Sequence, residues 1–196
     1  MQRKDLVLSA LHPVMCLGTS GEKIARHNLL RDAVFHTATS ANLAPLKEER
    51  ALLPGTDCRP ADVLVPHWGP SGKDLAIDVT IVNPLRLDLA ARSATETGLG
   101  LTTAFNTKYR RYGESCEGEG ISFCPFVLDT FGAWHERAVG ETKKLGQALA
   151  RATGQPDSQV VGHLFQRLSL LAMRGSSILL VNRIPVPDDP SVNEII

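Results

Sequence analysis

Two aspartates stand where a carboxylate is costly. Asp78 sits between Ile77 and Val79 in the middle of DLAIDVTIV, residues 74–82. Asp62 follows Arg59-Pro60-Ala61 at the head of ADVLVP, residues 61–66. Both runs are rich in β-branched residues and read as strands. The linker HWGPSGK carries Gly69, Pro70 and Gly72, so the strands are expected to be neighbours joined by a short loop. An ionised carboxylate among apolar strand residues must be compensated by something positive. Strand side chains alternate, so Asp78 projects opposite to Ile77 and Val79. Hard cations such as Mg²⁺ take one or two carboxylates, a carbonyl and several waters. Asp62 and Asp78, with the carbonyl of Val79 as a third ligand, would supply such a set. A nearby lysine would then orient or deprotonate a water for attack at phosphorus. Plain structural roles stay open at this point. Asp62 could cap a turn or pair with Arg59, and Asp78 could pair with Lys73 or Arg86.

The elements that must position these residues follow from periodicity. Residues 1–22 are broken by Pro13, Gly18 and Gly21 and are expected to be irregular. From Ile24 to about Ala41 a helical pattern places Leu30, Val34 and Ala38 on one face, and Pro45 is expected to end it. Residues 85–116 read as mostly helical, interrupted at Gly98 and Gly100. ISFCPFVLDT, residues 121–130, reads as a third strand, with Pro125 indicating an edge or a bulge. A helix is expected from about Trp134 to Ala152. Another begins near Asp157, with Val161, Leu164, Leu168 and Leu171 facing inward. The order helix, strand, strand, helix, strand, helix, helix predicts a mixed α/β domain, a small central sheet covered by helices. The tail from Pro185 is expected to be loose.

The chain has 196 residues, 43% hydrophobic and 21% charged, which suits one ordinary globular domain. No apolar run reaches the roughly 18 residues needed to span a bilayer, and the N-terminus does not read as a signal peptide. Lys plus Arg equals Asp plus Glu, 21 against 21, so the basic excess of an avid nucleic-acid binder is missing. Cys16, Cys58, Cys116 and Cys124 form no CxxC pair. They point to a reducing compartment, nucleus or cytoplasm.

The stretches RHNLLRDAVF, RPADVLVPHWGPSGKDLAIDVTIVNPL and KYRRYGESCEGEGISFCPFVLDTFGAW resemble a restriction-like endonuclease region. That region follows the reverse transcriptase in some non-LTR retrotransposon polyproteins. The resemblance covers roughly residues 10–180. It implies a PD-(D/E)XK, restriction-endonuclease-like core over residues 23–184, with a small mixed sheet flanked by helices. It implies Asp62 for the Asp of the PD element and Asp78 for the second acidic position, with Mg²⁺ or Mn²⁺ as cofactor. This chain departs from the stricter pattern in two places. Ala61 separates Pro60 from Asp62, and Thr80 stands where a lysine is expected. Members of this type often carry that lysine on the following helix beside a tyrosine, which implies Lys108, next to Tyr109 and near Tyr112. Lys73 is the alternative. Glu49 is implied as an extra metal ligand. His12 and Cys16 resemble the end of an upstream zinc knuckle, so residues 1–22 are expected to be its remnant or a linker and 185–196 a tail.

Candidate DNA contacts are Arg59, His67, Trp68, Arg110, Arg111 and Tyr112, with Lys143 and Lys144 as further phosphate contacts. Trp134 reads as a packing anchor. The expected activity is Mg²⁺-dependent nicking of DNA to leave a 3′-hydroxyl, for target-primed reverse transcription. The expected partners are DNA and the upstream reverse transcriptase region of the same polyprotein, with no membrane. The alternative is a catalytically inactive, transposon-derived binding or structural module, which Thr80 and the zero net charge favour.

Overall fold

The computed structural model describes residues 21–181, except 51, 57, 70 and 87. The expected zinc-knuckle remnant with His12 and Cys16, and the expected tail 185–196, lie outside the described residues. Among the described residues the elements follow in order: α1 (Glu22–Ser40), β1 (Leu46–Lys47), β2 (Val63–Val65), β3 (Asp74–Val82), α2 (Ala90–Ser93), α3 (Leu99–Gly118), β4 (Ile121–Asp129), α4 (Glu136–Thr153) and α5 (Asp157–Val181). The sheet runs β1-β2-β3-β4. The first three strands form an antiparallel meander, and β4 joins β3 in parallel. Parallel neighbours need a crossover, which α2 and α3 provide.

Alternation along the strands divides the core in two. Val63, Val65, Leu75, Ile77, Val79, Cys124, Phe126 and Leu128 pack on one face against α1, α4 and α5. Leu64, Ala76, Ile121 and Phe123 meet Cys116, Tyr109 and Tyr112 of α3 on the other. Phe126, Leu30 and Leu75 are almost fully buried. Each such side chain contributes about 1.5–3 kcal/mol of hydrophobic stabilisation before entropy is counted. Two close approaches fix the helices: Val161 lies where a Cβ on Gly146 would be, and Arg26 where one on Gly175 would be.

The mixed α/β architecture matches the expectation, with shifted edges. The strand expected over 61–66 is only Val63–Val65; ahead of it Asp62 keeps main-chain bonds to Ile77 and Glu48 and reaches Val79 with its side chain. The helix α1 ends at Ser40, well before Pro45. Gly98, at φ 75°, starts α3, whereas Gly100 lies inside it, where the turn at Pro84 comes too close for a side chain. Pro125 is on β4, an edge strand, as its missing N–H requires. In α5 the buried apolar positions include Val160, Leu164, Leu168, Ala172 and Leu179, while Val161 and Leu171 are only half-buried.

Cys116 and Cys124 lie inside, and Cys58 is exposed. Burial pushes the Cys116 thiol up to about 11 and the Cys124 thiol up to about 12. Thiolate is the reactive form. Alkylation of the native protein at pH 8, mapped by mass spectrometry, is therefore expected to modify Cys58 and to spare Cys116 and Cys124. Rapid labelling of Cys124 would contradict the parallel β3–β4 core.

Candidate functional site

The site begins with a missing strand. Pairing between β2 and β3 stops at Val63–Ile77, so among the described residues no strand pairs with β3 on that edge beyond Ile77. Asp62 fills the gap. Its main-chain N–H donates to the Ile77 carbonyl at 2.8 Å, and its Oδ2 accepts the Val79 N–H at 2.6 Å. The carboxylate replaces the next rung of the ladder. A strand residue's N–H and C=O leave the same edge, so the Val79 carbonyl also faces the Asp62 side. His27, projecting from α1, places Nε2 at 3.0 Å from the same Oδ2. That hydrogen bond raises the His27 pKa above its ordinary value, although burial opposes it.

Asp78 lies on the α3 face of β3 and is 8% exposed. Lys108 of α3 brings its Nζ to 3.0 Å from Oδ2 and 3.2 Å from Oδ1, so one ammonium straddles both oxygens. Thr80 Oγ1 lies 3.4 Å from Oδ2. Burial pushes the Asp78 carboxyl above the usual carboxylate range. Lys108 pulls it back, and the Asp62 charge pushes it up again. The two carboxylates therefore sense each other.

Asp62, Asp78 and Lys108 converge, and Val79 links them. Asp78 pairs with neither Lys73 nor Arg86: Arg86 holds Asp88 instead, and Lys73 is exposed in the loop before β3. Glu49 is not brought in. It stands beyond β1, half-buried, with no bond to either aspartate among the described residues. Its neighbour Glu48 is held by Arg31 and Arg59, and the Glu48 N–H donates to the Asp62 carbonyl at 3.0 Å.

The expected DNA contacts scatter. Arg59 is spent on Glu48. Trp68 is half-buried: its Nε1 donates to buried Glu141 at 2.8 Å and its ring packs on the core. Tyr112, also half-buried, meets Phe123 edge-on at 5.9 Å beneath α3. Both rings cover apolar surface that would otherwise face water. His67 is exposed but in the loop before β3, away from mid-strand Asp78. Arg110 and Arg111 are exposed further along α3, with Arg111 stacked on Tyr112 at 4.9 Å. Lys144 neutralises Glu141. Trp134 packs against Phe126 and Phe165, as a packing anchor would.

His27 was not among the candidate site residues in the sequence. Its helical spacing carried the signal: His27 precedes Leu30, Val34 and Ala38 on the inward face, so a polar ring there must find a buried partner.

Among the described residues, no three His, Cys, Asp or Glu side chains form a ready metal cage. The donor set still fits Mg²⁺ chemistry. That ion keeps several waters and is commonly held by one or two carboxylates plus substrate phosphate. Asp62 and Asp78 would hold it, with the Val79 carbonyl on the same edge. No model of a known protein family matches the sequence, and no curated protein matches it.

The two aspartates should differ when removed. Asp62→Ala leaves the Val79 N–H and His27 without an acceptor, and is expected to cost about 2 kcal/mol. Asp78→Asn removes a desolvated charge while Lys108, about one-third exposed, can rehydrate. It is expected to change stability by less than about 1 kcal/mol. Urea denaturation of both variants checks this. A larger loss for Asp78→Asn would make the Lys108 pair a structural ion pair instead.

Proposed function

We propose that the chain is a divalent-metal-dependent DNA endonuclease with a restriction-endonuclease-like core, of the kind associated with non-LTR retrotransposon reverse transcriptases. The observation that carries this reading is that Lys108 of α3 holds the Asp78 carboxylate on β3, while Asp62, just ahead of β2, binds the N–H of the next residue, Val79. A mixed sheet flanked by helices, with a meander followed by a crossover helix and a parallel strand, is compatible with such a core. When bound, the cation supplies Lewis-acid stabilisation of charge developing on phosphorus. Asp62 is held rigid for that task by the Val79 N–H and by His27. Lys108 favours the ionised form of Asp78, against the burial that opposes it. The Lys108 ammonium, supplied by α3, takes the role of the lysine absent at position 80 and is placed to orient water or to exchange a proton at Nζ. The product is a 3′-hydroxyl end, which a reverse transcriptase uses as primer.

Thr80 and the zero net charge favour one rival, an inactive binding or structural module. A supercoiled-plasmid assay separates the two. Nicking is expected with Mg²⁺ or Mn²⁺, absent in EDTA, and abolished by Asp78→Ala and Lys108→Ala. Asp78→Ala should bind DNA equally or more tightly, because it removes a charge that repels phosphate. A folded parent that never nicks, with either metal, would leave the inactive module.

A further inference from the structure

Next to Asp78 and Lys108 lies a cleft of about 780 Å³, walled by α1 and the first half of α3 and floored by the end of β3. Two of its residues carry buried hydrogen-bond donors with no partner among the described residues. Arg26 of α1 is 6% exposed. Its Nη1 donates to Ser176 at 3.2 Å, while its Nε has no acceptor. No carboxylate pairs with this guanidinium among the described residues, and burial lowers its pKa. Asn83, just past β3, is 8% exposed. Its Oδ1 accepts the Leu85 N–H at 2.9 Å, which fixes the amide orientation, and its Nδ2 is unpartnered. A buried donor without a partner costs about 1–3 kcal/mol, more when charged. Two at one cleft mark a place shaped for an acceptor-rich group.

The surrounding charge selects the sign of that group. Lys23, Arg86 and Lys108 also line the cleft. Among the described residues lining it the acid is Asp88, exposed and engaged by Arg86 at 2.8 Å, while Lys108 is held by Asp78. Cleft and donors sit at the carboxyl ends of the parallel pair β3–β4, where open α/β sheets bind ligands.

We infer that this cleft is a phosphate-binding subsite, with Arg26 and Asn83 donating to the phosphate oxygens and Arg86 adding positive charge at the rim. The phosphate is that of a nucleic-acid strand running past Asp78, or of a free monoester. Naming a strand rests on the endonuclease reading; binding of phosphate does not. The strand's path then runs between α1 and α3, not over Arg110 and Arg111.

Asn83→Asp is the decisive variant. It keeps the acceptor for Leu85 and turns the unused donor into a negative acceptor. Arg86→Ala is an exposed second variant. Binding of a fluorescent DNA duplex in EDTA is read by anisotropy across salt concentrations. Inorganic phosphate and a deoxynucleoside monophosphate are titrated in parallel by NMR. Asn83→Asp, with unchanged circular dichroism, is expected to weaken duplex binding at least about tenfold. Arg86→Ala is expected to lower the salt slope by about one, and Arg110→Ala to change less. If the parent ignores duplex but binds phosphate or the monophosphate in an Asn83-dependent way, the subsite stands for a free monoester and the endonuclease reading falls. If a folded Asn83→Asp binds every probe as the parent does, the inference is overturned. Should Asn83→Asp not fold, an unchanged Arg86→Ala salt slope and unchanged phosphate binding overturn it equally.

Discussion

The bond from the Val79 N–H to Asp62 Oδ2, 2.6 Å long, stands where a β-strand would otherwise continue. Because β2 is only three residues long, the β3 edge beyond Ile77 would carry an unpaired donor next to the core. Such a donor must be satisfied. A carboxylate satisfies it, and that fixes the side chain of Asp62 in the plane of the sheet, beside Asp78. His27 can reach Asp62 only because α1 packs across the opposite face. A short strand, an edge left open and a fixed carboxylate are thus one structural event.

Asp78 depends on the other layer. Its burial comes from β3 being covered on both faces, and its counter-charge comes from α3, the crossover that the parallel pair requires. The fold therefore holds two negative groups close together with one ammonium between the sheet and α3. That arrangement sacrifices stability at one point and gains a place where added positive charge is favourable. The neighbouring cleft shows the complementary imbalance, with donors in excess of acceptors. Acidic edge and donor-rich cleft share Lys108 and Thr80 as their boundary.

Much of this was legible in the sequence, for definite reasons. A lone aspartate inside DLAIDVTIV stands out against a period of two, and Leu30, Val34 and Ala38 fix α1 by a period of 3.6. Lys108 followed from a resemblance, and its geometry agrees with that placement. Other features had no local signal. The two residues of β1 are too few for a period, so no strand was expected there and Glu49 stood as a candidate ligand, while β1 pairs with β2 and Glu48 is the residue held by Arg31. Trp68 and Tyr112 looked available because nothing in their neighbourhood announces Glu141 or Phe123, which are distant in sequence. The unused donors of Arg26 and Asn83 exist only once α1, β3 and α5 are assembled.

The central claim is that Asp62 and Asp78 together hold a divalent cation. Electron paramagnetic resonance of Mn²⁺ tests it without any substrate. Adding the protein should deplete the free-ion signal. Asp62→Ala and Asp78→Ala should each weaken that binding at least about tenfold, a loss of about 1.4 kcal/mol. Lys73→Ala should leave it unchanged. A parent that leaves the Mn²⁺ signal untouched, or aspartate variants that bind as the parent does, would contradict the account.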